Sequence, residues 1–239
     1  MILTPNLYNK FSILNNIEKL SEPIFDFDDS AMYLKEKKEI GHNPYHREHT
    51  DEEQVETVSW FILEEARLIS ANFEGLAYQI PEDIAIISVS PSDRKDVMSL
   101  CHICFPSNWK PEEKIGCSFA KIHQDIPGYT YNPNLIKSLL EGRYQRFVWS
   151  LIFKNQLNQY PGTSPKFHIQ RPEVFLKIEK QITIGFPGES CFLFIMRQYI
   201  YPMDKVDIDI LNHTISEMSP EHLKYKGITI ELKDYLCKI

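Results

Sequence analysis

The stretch Val174-Phe-Leu-Lys-Ile-Glu-Lys-Gln-Ile-Thr-Ile184 shows the clearest two-residue period in the chain. Apolar side chains at positions 174, 176, 178, 182 and 184 alternate with mostly polar ones, a pattern that predicts a β-strand with one buried face. After Pro187-Gly188, a pair suited to a turn, residues 191–201 continue as a second strand. The two strands predict an antiparallel hairpin, around which the rest of the fold is arranged.

Two cations interrupt the apolar side of this hairpin. Lys180 lies among the apolar positions of the first strand, and Arg197 lies among those of the second. The expected turn places Lys180 opposite Ile195 and Arg197 opposite Ile178, so both cations lie diagonally on one face. Because a buried cation needs a partner, one interpretation is a pocket for a ligand with carboxylates. The other is a solvated strand face on which an acidic neighbour such as Glu179 pairs with a cation.

The segments on either side of the hairpin contain both helical and strand patterns. Helices are expected over residues 51–73, 134–140, 143–157 and 204–218, and strands over residues 85–89 and 97–105. Residues 1–50 are polar and irregular, and we interpret them as an N-terminal extension to one domain over residues 51–239. These elements predict an α+β fold with a central antiparallel β-sheet flanked by helices.

The composition excludes several classes of function. The chain has 239 residues, a net charge of −7 and only 9 glycines. The acidic balance disfavours nucleic acid as a partner, and neither G-x-G-x-x-G nor G-x-x-x-x-G-K-[ST] occurs. No apolar run approaches the about 20 residues that a membrane-spanning helix needs, so no membrane partner is expected. Five cysteines and an N-terminus without a signal-peptide pattern favour a cytoplasmic location.

Two sets of residues are candidate metal ligands. His123 precedes a Pro-Gly turn, and a neutral imidazole there could bind a metal or haem iron, although a lone histidine is more often only hydrogen-bonded. Cys101, Cys104, Cys117 and His123 have the spacing C-x2-C-x12-C-x5-H, which resembles a structural zinc site. The odd separation of Cys101 and Cys104 points their side chains to opposite faces of a strand, which favours buried thiols instead.

Several ordered segments resemble the haem-dependent oxidative N-demethylase alpha-subunit family. The most specific are Phe-Pro-Ser-x-Trp at residues 105–109 and Ile-His-x-x-x-Pro-Gly at residues 122–128. The other segments are Pro81–Ile87, Arg143–Trp149, Ile178–Ile182 and Phe194–Tyr199. The resemblance implies a PAS-like fold that encloses haem b. It also implies that small secondary amines are demethylated with dioxygen, and that a separate reductase with flavin and an iron–sulfur centre supplies the electrons.

The same resemblance assigns residues to the cofactor. It implies that His123 is the axial iron ligand, that Arg146, Lys180 and Arg197 contact the haem propionates, and that Trp149 lines the macrocycle. Val148 stands where the family tends to have asparagine in Arg-x-Asn-Trp, which bears on the identity of the substrate. We therefore expect a haem-dependent monooxygenase or oxidase acting on a small amine. The alternatives are a non-catalytic haem-binding sensor or carrier of PAS type, and a zinc-stabilised domain without haem.

Overall fold

The hairpin predicted around residues 174–201 lies at the centre of one antiparallel sheet. A computed structural model describes residues 17–21, 23–69, 72–93, 95–130, 132–170 and 172–239. Within these residues, the sheet has seven strands in the order β1-β5-β6-β7-β3-β4-β2. The strands are β1 (Glu18–Lys19), β2 (Tyr45–Arg47), β3 (Asp83–Val89), β4 (Asp96–His102), β5 (Arg143–Ile152), β6 (Phe175–Phe186) and β7 (Cys191–Pro202). The structure confirms the predicted α+β class, while the PAS-like description stays a prediction.

Eight α-helices surround the sheet in the described part of the chain. They are α1 (Ser30–Glu39), α2 (Glu52–Glu65), α3 (Phe73–Ala77), α4 (Phe119–His123), α5 (Pro133–Glu141), α6 (Ile208–Ser216), α7 (Pro220–Tyr225) and α8 (Ile230–Leu236). Short 3-10 turns at Pro111–Glu113 and Met203–Lys205 complete the set. None of the helices in the described ranges combines the length and the apolar character that a bilayer crossing requires.

The hairpin pairs in a different register from the expected one. Phe186 of β6 pairs with Cys191 of β7, so four residues, rather than a two-residue turn, connect the strands. Lys180 therefore lies directly opposite Arg197 and not opposite Ile195. Because this shift is an even number of residues, it preserves the face on which each side chain lies, and the two cations still share one side of the sheet.

The sheet is buried on both faces. The odd-numbered residues of β6 lie on one face and the even-numbered residues on the other. The Gln181 face carries Lys177, Glu179, Gln181 and Thr183 of β6, and α4 and α5 cover it. The opposite side, the Arg197 face, carries the even-numbered residues of β6 and the odd-numbered residues of β7. Helices α2 and α3 cover one end of the Arg197 face, and α6 and α8 cover the other. Each face therefore has its own apolar core.

Residues 143–152 form a strand, so the helix predicted over residues 143–157 is wrong. Strand β5 pairs with β6 along its whole length, from Arg143 opposite Ile184 to Ile152 opposite Phe175. Phe147 and Leu151 are four residues apart, which also fits one face of a helix. The same residues also have a two-residue period. The strand follows this period, because successive aromatic and aliphatic side chains then lie on opposite faces of the sheet, and both faces are covered.

The other predicted elements agree in type and differ in length. The strands expected over 85–89 and 97–105 are β3 and β4, and the helix expected over 134–140 is α5. The helix expected over 51–73 ends at Glu65, and α3 begins separately at Phe73. The helix expected over 204–218 begins as a 3-10 turn and continues as α6.

Residues 17–50 take part in the fold, in contrast to the irregular chain expected for residues 1–50. Strand β1 pairs with β5, and β2 pairs with β4. Helix α1 lies beside the end of β7, where β3 has already stopped at its pairing with Met196. There Tyr33 donates a hydrogen bond to the carbonyl of Gln198 at 2.5 Å, in the position where a neighbouring strand would bond. Residues 1–16 lie outside the described residues, and a domain boundary at residue 50 stays a prediction.

Candidate functional site

His123 is the last residue of α4, a short helix that Ser118 caps with its side chain. Its Nδ1 donates a hydrogen bond to the carbonyl of Phe119 at 2.7 Å, since a carbonyl can only accept. This bond selects the tautomer in which Nε2 carries a lone pair, the form that binds a metal. Burial and the nearby positive charge of Arg146 lower the pKa of His123 to about 4, so the imidazole is neutral at pH 7.

Two aromatic rings hold the imidazole of His123 in place. The ring of Phe119 lies 4.1 Å from the imidazole centre, and the ring of Tyr129 stacks on it at 5.7 Å. Phe119 also packs in the core of the Gln181 face. The imidazole is therefore held by packing on its sides and by one hydrogen bond at Nδ1, which pre-orients Nε2.

Arg146 brings a buried positive charge to the same face. It lies on β5 opposite Gln181, is 8% exposed, and donates from Nε to Oε1 of Gln181. Burial lowers the pKa of Arg146 to about 10, which still leaves the guanidinium charged at neutral pH. His123 and Arg146, both predicted as haem contacts, thus lie on one side of the sheet.

A small cavity lies between α5 and the Gln181 face. The space measures about 20 Å³. Its walls are formed by Ile17, Phe119, Leu135, Leu139, Tyr144, Gln145, Arg146, Gln181, Thr183 and Phe194. The walls are mostly apolar, with one guanidinium among them. An apolar wall, a buried cation and a neutral imidazole on the same face are the chemical groups that hold a flat apolar cofactor with acidic groups and a metal. The space itself is smaller in this structure than the roughly 300–1,000 Å³ of a ligand pocket.

A hydrogen-bonded network continues from Arg146 across the Gln181 face. The carboxylate of Glu179 accepts hydrogen bonds from Gln181, from Ser107 Oγ at 3.0 Å and from Gln198 Nε2 at 2.8 Å. Gln181 therefore bridges Arg146 and Glu179. Ser107, Arg146 and Glu179 come from three different segments that resemble the family. Our sequence reasoning considered Glu179 only as a partner for a cation and missed that the three segments converge on it.

Lys177 is a second buried cation on the Gln181 face, and sequence reasoning did not single it out. Its side chain is 1% exposed, and no residue in the described part of the chain forms a hydrogen bond with Nζ. Burial lowers the pKa of Lys177 to about 8, against the opposing effect of Glu179 and Asp83. Its position two residues before Glu179 on an alternating strand was the available signal.

Lys180 and Arg197 lie on the opposite side of the sheet from His123. Lys180 Nζ donates to the carbonyl of Pro23 at 3.3 Å, and Arg197 Nη2 donates to the carbonyl of Asp28 at 2.6 Å. The guanidinium of Arg197 also lies 3.6 Å from the centre of the Tyr33 ring. These two cations therefore connect the sheet to the chain before and within α1.

Trp149 also lies on the Arg197 face. It packs in the core formed with α6 and α8, and the ammonium of Lys226 lies 4.3 Å from the centre of its ring. Of the five residues predicted to contact haem, the structure brings His123 and Arg146 together and places Lys180, Arg197 and Trp149 behind the sheet.

The four residues with zinc-like spacing are not gathered at one point. Cys101 and Cys104 are buried, and burial raises the pKa of Cys101 to about 12. The thiol of Cys117 contacts the carbonyl of Glu113 at 3.6 Å. Across the described ranges, no group of three or more His, Cys, Asp or Glu side chains is arranged to hold a metal ion.

A comparison with protein families identifies the family of this chain. A family model described as "Haem-dependent oxidative N-demethylase, alpha subunit-like" matches residues 32–236. A search of curated proteins finds no match. The matched range includes every strand of the sheet except β1, and it includes His123, Arg146 and Glu179.

Proposed function

Because the chain belongs to the haem-dependent oxidative N-demethylase, alpha subunit-like family, we propose that it is a haem-binding oxidoreductase that demethylates a small amine with dioxygen. The observation that carries this proposal is the hydrogen bond from His123 Nδ1 to the carbonyl of Phe119. It prepares Nε2 as a ligand, and Phe119, which packs against the imidazole, lines an apolar space with a buried guanidinium in its wall. The proposed cofactor is haem b, with iron bound by His123 and a propionate paired with Arg146.

The side chains of the Gln181 face have separate tasks in this proposal. Haem, when bound, supplies the activation of dioxygen and the transfer of electrons. His123 holds the group in place, and its Nδ1 keeps its proton on the carbonyl of Phe119. Arg146 orients the group through a charge-assisted hydrogen bond, and the apolar walls of the cavity exclude water. The propionate contacts predicted for Lys180 and Arg197 are not part of this proposal.

The electron donor belongs to the same proposal. The chain has no glycine-rich nucleotide motif, so we assign the oxidation of a nicotinamide cofactor to a separate reductase with flavin and an iron–sulfur centre. We also propose the cytoplasm as its location, on the chemistry of its five cysteines.

Titration with haem tests the cofactor assignment. The purified protein should develop a Soret band that shifts on reduction, and His123→Ala should lose this spectrum. His213→Ala is the matched control, because His213 is an exposed histidine on α6. A wild-type protein that binds no haem would exclude the proposed function. An unchanged spectrum in His123→Ala would exclude His123 as the ligand.

Turnover separates an enzyme from a haem-binding sensor or carrier. With a suitable reductase, NAD(P)H and dimethylamine, the proposed enzyme should release formaldehyde while consuming NAD(P)H and dioxygen. A sensor would bind haem with the same spectrum and leave the amine intact. His123→Ala, which should lose both the spectrum and the turnover, links the two measurements.

A further inference from the structure

Lys177 is a buried ammonium for which the described part of the chain provides no hydrogen-bond acceptor. It is 1% exposed, and Nζ has no hydrogen-bond partner among the described residues. Lys177 lies on the same face of β6 as Gln181, four residues away, which corresponds to about 13 Å along the strand. A lysine in this position is rare, because a cation is seldom fully buried unless it is paired.

The two carboxylates that influence Lys177 already have other partners. Both oxygens of Glu179 accept hydrogen bonds from neutral donors, and Glu179 also stabilises the charge of Arg146. Asp83 accepts two backbone N–H bonds and lies 3.7 Å from Lys37. Three cations thus lie near two carboxylates, and among the described residues the ammonium of Lys177 is the one of the three without a hydrogen-bond partner.

We infer that Lys177 binds a carboxylate of a ligand held on the Gln181 face. A carboxylate would accept from the free N–H groups of Nζ and would offset the third positive charge. This inference rests on the proposed function, which offers two ligands that could supply the carboxylate. One is a haem propionate, and the other is an amine substrate that itself carries a carboxylate, such as an N-methyl amino acid.

Haem and its ester distinguish the first source. Wild type and Lys177→Met are titrated with protohaem and with protohaem dimethyl ester, in which the propionates carry no charge. If Lys177 binds a propionate, the variant should bind protohaem about tenfold or more weakly, the size of a lost charge-assisted hydrogen bond. Its affinity for the dimethyl ester should equal that of wild type.

Two amines distinguish the second source. Haem-loaded wild type and Lys177→Met are titrated with dimethylamine and with N-methylglycine, and the change in the Soret band is followed. If Lys177 binds a substrate carboxylate, the variant should retain its affinity for haem and for dimethylamine. Its affinity for N-methylglycine should fall about tenfold or more.

The controls separate a local effect from a general one. Lys154→Met removes an exposed lysine and should bind every ligand as wild type does. Equal affinities of Lys177→Met and wild type for all four ligands would overturn the inference. If Lys177→Met does not fold, Lys177→Gln takes its place in the same titrations.

A measurement without haem keeps the inference separate from the proposed function. Sodium acetate should raise the melting midpoint of wild-type apoprotein above its value in sodium chloride of equal ionic strength. Lys177→Met, or Lys177→Gln, should lose this difference. The absence of any difference in wild type would overturn the inference for small carboxylates, even if haem binds. Failure of wild type to bind haem would remove the proposed function and leave this test valid.

Discussion

Glu179 lies where three distant stretches of the chain meet. Its carboxylate accepts from Ser107, Gln181 and Gln198, and Gln181 in turn accepts from Arg146. The network is buried, so each polar group in it depends on its neighbours for hydrogen bonds. Glu179 is therefore the negative centre that allows Arg146 to remain charged beside the cavity.

Removal of this negative centre should be costly. Glu179→Ala leaves the guanidinium of Arg146 buried without its carboxylate, and we expect a loss of about 3–5 kcal/mol in the free energy of unfolding. Urea denaturation at pH 7 measures it. Glu173→Ala is the matched control, because Glu173 is exposed just before β6 and its loss should change stability little. Equal stabilities of the two variants would contradict the network.

His123 should make the stability of the apoprotein depend on pH. Its pKa is about 4 in the folded protein and about 6.5 in an unfolded chain, so the unfolded state binds more protons between these values. Stability should therefore be full above pH 6.5 and should fall as the pH decreases toward about 4. Urea denaturation from pH 7 to pH 4 checks this, and His123→Gln should show a weaker dependence. A similar dependence in both proteins would contradict the assignment.

At the scale of elements, α5 and β6 are in close contact at a glycine. A Cβ added at Gly185 would lie 2.1 Å from the carbonyl oxygen of Leu140, which is backbone and has little freedom to move. This contact allows α5 to lie against the end of β6, and so places Leu135 and Leu139 in the wall of the cavity. A residue without a side chain thus determines the distance between the helix and the sheet.

Gly185→Ala should displace α5 from β6. We expect a loss of about 1–3 kcal/mol in the free energy of unfolding, the usual cost of overpacking, together with weaker haem binding. Gly188→Ala is the control, because a Cβ at Gly188 would have no atom within 4 Å. Thermal denaturation and haem titration of the two variants measure both effects. A Gly185→Ala protein as stable as Gly188→Ala would show that the contact does not constrain α5.

Across the whole molecule, local sequence patterns predicted the helices and strands better than they predicted which residues lie next to each other in the fold. The alternation over residues 174–184 predicted β6, and the helix predicted over residues 134–140 is α5. The register of the hairpin was wrong because it depends on a four-residue connection that the sequence pattern does not reveal. The resemblance assigned His123 and Arg146 to the cofactor, and the structure places both on one face of the sheet. It could not separate the two faces of the sheet, because each face is shaped by strands distant in sequence.

The separation of the two faces gives a prediction for two arginines. Arg146 lines the cavity beside His123, whereas Arg197 contacts Tyr33 and the carbonyl of Asp28 behind the sheet. Arg146→Gln should weaken the binding of protohaem about tenfold or more, since one charge-assisted hydrogen bond is lost. Arg197→Gln should lower the melting midpoint, because it releases the chain before α1, and should retain the haem affinity of wild type.

Haem titration and thermal denaturation of the same two variants show which face of the sheet binds haem, because each variant is the control for the other. A general loss of fold would weaken haem binding in both proteins. A haem bound on the Arg197 face would reverse the result, with Arg197→Gln losing affinity and Arg146→Gln retaining it. That reversal would also contradict His123 as the ligand, since the sheet lies between His123 and Arg197.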